Sequence, residues 1–157
     1  MESIDNAKAA RVWQRVKAES PPLPQRPEQE LFDLIAQEWA DAVTYSSLSR
    51  RYQGHHRNRL QKMAAQAHSN VACLKGVCTL MTGTRPKIRS SLPPMLPPEQ
   101  ALRRCYSRET QRLAHYTQRA ADPEYGQVFA QLAQQSRQHC RLIPELLGTQ
   151  KRSRPAP

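Results

Sequence analysis

Two glutamates in this chain stand where carboxylates are costly. Glu38 falls among Leu31, Leu34, Ile35, Ala42 and Tyr45, and Glu109 among Leu102, Cys105, Leu113 and Tyr116, so each lies on an apolar stripe that recurs at helical steps. Each is followed seven residues later by a tyrosine, Tyr45 or Tyr116. A carboxylate on a buried face needs a partner. Two chemistries supply one: a hydrogen bond or ion pair with a core Tyr or Arg, or a cation at the centre of a bundle, of which these glutamates would be a remnant. In the absence of a metal the nearest charge is Arg112, three residues after Glu109 on the flank of the same stripe. It is expected to turn inward, onto Glu109 or onto Asp41, which holds the matching place in the first stripe.

Other chemistry-bearing patterns are missing from the chain. It has no Gly-rich phosphate loop, no nucleophile elbow and no Cys-rich zinc pattern, and no catalytic residue is assigned. Cys73, Cys78, Cys105 and Cys140 show no CxxC spacing, three of them fall on apolar faces, and they read as buried thiols. His55 and His56 fall at an expected turn and read as solvent-exposed.

The elements that must position the glutamates follow from periodicity and proline. Most of the 13 prolines cluster in 20–27 and 86–98, leaving two long stretches nearly free of them. In the first, Leu31 to Tyr52 predicts a helix ending near Gly54. Leu60, Met63, Ala64, Ala67, Val71, Leu74, Cys78 and Met81 predict a second, stopped by Gly83. Residues 84–98, with five prolines, should run extended along the surface. A third helix starts at Pro98-Glu99 and breaks at Asp122-Pro123. The fourth carries Phe129, Leu132, Ala133, Ser136, Cys140, Ile143 and Leu147, with Pro144 kinking its last turn and Gly148 as its stop. Residues 1–27 form an amphipathic segment and Pro-rich link, 28–148 the bundle, and 149–157 a basic flexible tail.

The two halves repeat each other. Glu38 and Tyr45 are spaced like Glu109 and Tyr116, and Leu60, Met63, Ala64, Ala67 and Asn70 are spaced like Phe129, Leu132, Ala133, Ser136 and His139. Agreement at polar as well as apolar positions favours duplication.

On these residues the stretch 28–148 resembles the ferritin-like di-iron carboxylate proteins, rubrerythrin-type domains most closely. The resemblance implies an all-α, ferritin-like four-helix bundle made of two helical hairpins with a long crossover between the second and third helices. Such domains supply one Glu from each of two helices and a Glu-x-x-His from each of the other two around a metal pair. Glu38 and Glu109 match the lone glutamates and His139 one histidine. Ala67 and Ser136 stand where the bridging glutamates would be, and Asn70 where the other histidine would be. His68, with Ala65 before it, offers another register; Asn70 is preferred because it keeps Leu60, Met63 and Ala64 inward. For function, the resemblance implies a bundle that has lost most of its ligands and is non-catalytic or vestigial. The alternatives are a mononuclear metal or redox protein, holding one iron or other divalent ion on Glu38, Glu109 and His139, and a binder of acidic polymers such as nucleic acid.

Net charge is +11, with the basic residues spread over all segments, which reads as a solvated cationic surface. With no apolar run long enough for a membrane span and no signal-like start, the expectation is a soluble cytoplasmic protein without membrane contact, with a homo-oligomer as one form of partner.

Overall fold

The computed structural model describes residues 27–88 and 91–152; the expected amphipathic segment and Pro-rich link at 1–27, except Pro27, and the last residues of the tail lie outside them. The described residues form four helices and no strand: α1 (Pro27–Ser49), α2 (Gly54–Thr82), α3 (Pro98–Arg119) and α4 (Gly126–Arg152).

α1 packs along α2, and α3 along α4, as two intimate pairs; the pairs meet through α1 against α3 and α2 against α4. Cross-links fix the directions. Glu30 reaches Arg119 and Tyr45 reaches Glu109, so α1 and α3 are antiparallel, while Arg59 to Glu145 and Gln66 to His139 make α2 and α4 antiparallel. Asn70 opposite Glu38 sets α2 against α1 as well. α2 and α3 therefore run the same way on opposite corners of the bundle. The chain between them must travel the bundle's length, and residues 83–97 can span about 50 Å against about 33 Å for α3. The connection lies along the outside, with Ile88 packed on one end of the core and Leu96 on the other.

Local chemistry sets most of the boundaries. Gly83 takes φ 74° and donates its N–H to the Thr79 carbonyl, ending α2 in a left-handed cap that suits glycine. Between α3 and α4 the Asp122 carboxylate accepts from the backbone N–H groups of Glu124 and Tyr125, both at 2.8 Å. A Cβ on Gly126 would sit 2.5 Å from the Ala120 carbonyl oxygen, so that close turn requires glycine.

Three expectations need correction. α4, with Pro144 inside it, continues past Gly148 to Arg152, and Gly148 does not take a positive φ. His55 and His56 belong to the first turn of α2; His55 is exposed, but His56 is half-buried against the Tyr52 ring. Met81 is 38% exposed, because the stripe leaves the core after Cys78 as α2 nears its end.

The core divides into two apolar clusters. One gathers Leu31, Ile35, Leu74, Tyr116, Phe129 and Leu132 with their neighbours, and the other gathers Tyr45, Leu60, Met63, Leu102, Ile143 and Leu146 with theirs. Between them lies a layer of buried polar groups.

Candidate functional site

That layer is built from all four helices. Glu38 and Asp41 come from α1, Asn70 from α2, Glu109 and Arg112 from α3, and Ser136 and His139 from α4; each is at most 4% exposed. Ala67 of α2 is buried in the same register, whereas His68 is exposed.

The hydrogen bonds cross between the two halves of the repeat. The Tyr116 hydroxyl donates to Glu38 Oε1 at 2.7 Å, and the Tyr45 hydroxyl donates to Glu109 Oε1 at 2.9 Å. Seven residues span about two helical turns, so on antiparallel helices the Glu of each lies level with the Tyr of the other. The hairpins' second helices are arranged in the same way. Asn70 Nδ2 points to Glu38 Oε1 at 3.4 Å, and His139 Nδ1 lies 2.7 Å from Glu109 Oε1. His139 Nε2 is 2.9 Å from Gln66 Oε1, an amide that can turn to suit the ring's tautomer. The Tyr45 ring meets the His139 ring edge-on at 5.7 Å.

At one pair of equivalent positions the two halves carry opposite charges, Asp41 and Arg112, and there the two residues bind each other. Arg112 Nη2 donates to Asp41 Oδ2 at 2.5 Å and lies 3.2 Å from Glu109 Oε1, while Nε lies 3.5 Å from Glu38 Oε1. One guanidinium, fully removed from solvent, thus faces three carboxylates. Arg108 reaches the other Asp41 oxygen from the rim of the layer, its Nε at 2.7 Å. Nη1 of Arg112 has no hydrogen-bond partner among the described residues.

Burial and charge pull these groups in different directions. Burial raises the Glu38 pKa, with the Arg112 charge opposing it and Glu109 adding to the rise. Burial would also raise Glu109, but the His139 hydrogen bond, the Arg112 charge and the Tyr45 hydroxyl together hold it below the usual glutamate range. Burial acts to lower Arg112, yet Glu38, Asp41 and Glu109 carry it well above the usual arginine range. Burial followed by nearby carboxylates pushes up both tyrosines, Tyr45 beside Glu109 and Tyr116 beside Glu38. Cys105 beneath the layer is also pushed up, by burial and then Asp41, so its thiol is a poor nucleophile. Cys78 is buried too and Cys140 partly so, while Cys73, which belongs to no apolar stripe, is exposed; all four are free.

The three candidate metal ligands, Glu38, Glu109 and His139, do fall in one layer, with Ala67, Asn70 and Ser136 beside them. As arranged they do not fit a cation. Both His139 ring nitrogens are engaged, one oxygen of each glutamate is shared among Tyr and Arg112, and a guanidinium already stands in the gap. Among the described residues no group of three or more His, Cys, Asp or Glu is disposed to hold a metal ion. Arg112 and Asp41 could be found in the sequence through their position three residues after each glutamate. Arg108 and Gln66 carried no such signal, since each flanks the apolar stripe of its helix and does not lie on it.

Comparison with family models, with curated proteins and with solved structures gives no match for this chain. Among the described residues no helix is long and apolar enough to cross a membrane.

Proposed function

We propose that this is a ferritin-like, rubrerythrin-related bundle that has exchanged its metal centre for an internal ion network, and that it acts as a non-catalytic helical scaffold through its surface. The observation that carries the reading is Arg112, buried to 0% exposure with Asp41, Glu38 and Glu109 around it. Two metal ions in such a layer need bridging carboxylates to offset their repulsion. Ala67 and Ser136 supply none, and a guanidinium delivers one fixed positive charge that needs no loading. The paired, antiparallel helices and the long outer connection support the ferritin-like topology, and the crossed Glu–Tyr bonds support an origin by duplication.

The scaffold reading is tested by adding ferrous ion to the protein in air and following iron oxidation by absorbance. The expected rate is that of buffer alone. Protein-dependent oxidation that persists with repeated additions of iron would replace the scaffold with a redox enzyme.

A further inference from the structure

The basic residues look scattered along the chain, and folding sorts them. The polar layer divides the bundle into two halves. One half comprises residues 42–66, 98–108 and 140–149, and it holds nine Lys and Arg against two acids, Glu99 and Glu145, with Arg108 paired to Asp41 of the layer. The other half comprises 27–37, 71–88 and 113–138, and it holds five bases against five acids. The up-down-down-up arrangement brings the end of α1, the start of α2, the start of α3 and the end of α4 to the same pole.

Little at that pole offsets its charge. Glu145 is taken by Arg59 and Glu99 by Arg103, within the pole itself. Arg50, Arg51, Lys62, Arg104 and Arg141 are all exposed, and among the described residues none of them belongs to an ion pair. Eight of the nine bases are arginines, whose planar forks match phosphate oxygens better than lysine does. Like charges crowded on one end repel each other, and a polyanion laid across them relieves that cost while releasing its own counterions.

We propose that this basic pole is a nucleic-acid-binding surface that grips the phosphodiester backbone without reading bases. The inference does not depend on what fills the bundle centre. The phosphodiester chemistry is common to duplex and single strands. Leu92 and Met95, 77% and 82% exposed on the outer connection, make an anionic membrane the rival occupant.

The test uses the full chain with fluorescent 30-base-pair DNA and single-stranded RNA of equal length, over a series of salt concentrations. Two charge-matched variants are compared: Arg50→Glu/Lys62→Glu/Arg104→Glu at the basic pole and Lys75→Glu/Arg85→Glu/Lys87→Glu in the balanced half. All six side chains are exposed, and circular dichroism checks that both variants fold. The wild type should bind one or both strands, with log affinity falling linearly against log salt. The polar variant should lose about 100-fold in affinity at moderate salt and lower the salt slope by about one per replaced residue, with the balanced-half variant within about threefold of wild type. The duplex-to-single-strand ratio identifies the preferred form. Equal losses in both variants, no wild-type binding at low salt, or tighter binding to phosphatidylserine vesicles or polyglutamate than to either nucleic acid would overturn the proposal.

Discussion

Arg112 meets three carboxylates from two helices in a space without solvent, and its neighbours show how that charge is balanced. Asp41 shares it with Arg108, Glu109 is held ionised by His139 and Tyr45 as well, and Glu38 is pushed toward its protonated form by burial. Removing one partner from a buried ion network leaves the others unpaired, at a cost of about 3–5 kcal/mol. Arg112→Met should therefore destabilise the protein by about that amount at neutral pH in urea unfolding, and by less in acid, where the stranded carboxylates protonate. An exposed, idle arginine would give almost no change at either pH. The two glutamates should act on pH dependence with opposite signs. Glu38 has a raised pKa, so above the unfolded-state value the folded form holds the extra proton, and stability falls as pH rises toward the folded value. Glu109 has a lowered pKa, so its contribution is present above the unfolded-state value and lost as pH falls through the folded one. Glu38→Gln, which keeps an acceptor for Tyr116, should flatten the loss of stability with rising pH above the ordinary glutamate range; an unchanged pH profile would mean Glu38 ionises freely.

At the scale of the element, helix identity follows from a 3.6-residue apolar period and from prolines gathered outside it, which are local signals and legible in the sequence. Both glutamates and their tyrosines are legible for the same reason, since the repeat displays them twice. Helix ends are less so. Gly83 is a true left-handed cap, but Gly148, of the same residue type and similarly placed after an apolar stripe, lies inside α4 with an ordinary φ. The difference lies in the residues just downstream of each glycine. Gly83 leads to Arg85-Pro86, whereas Gly148 leads to Thr149-Gln150-Lys151-Arg152, a stretch that continues a helix readily. Gly148→Ala has open space around its new methyl group and should raise stability by about 0.5–1 kcal/mol in thermal or urea unfolding. If Gly148 were the helix stop, the same change would force alanine into a left-handed conformation and lower stability. Of Arg112's partners, Glu109 and Asp41 are legible as alternatives, but Glu38, and the meeting of all three at once, are not. They depend on α1 and α3 being antiparallel and level, which pairing by spacing alone does not give.

For the whole molecule, the repeat supplies both the symmetry and the point where it fails. Glu38 with Glu109, Tyr45 with Tyr116, Asn70 with His139 and Ala67 with Ser136 occupy equivalent places, and Asp41 with Arg112 turns equivalence into attraction. The gathering of positive charge at one pole is a property of this scale alone, since it comes from three connections that return distant segments to the same end. The same symmetry names the changes that would install a metal pair. Ala67→Glu, Asn70→His and Ser136→Glu, combined with Arg112→Met to clear the guanidinium, should bind ferrous ion and raise the melting temperature with iron concentration. The three ligand changes with Arg112 left in place should bind far less.

The proposed exchange of a metal centre for a guanidinium is tested most directly in the unaltered protein. Purified without a histidine tag, it should carry no stoichiometric iron, manganese or zinc by elemental analysis, and its melting temperature should be the same with chelator and with added ferrous ion. Two metal ions per chain, or a melting temperature that falls on chelation, would contradict the account and point to Glu38, Glu109 and His139 as ligands.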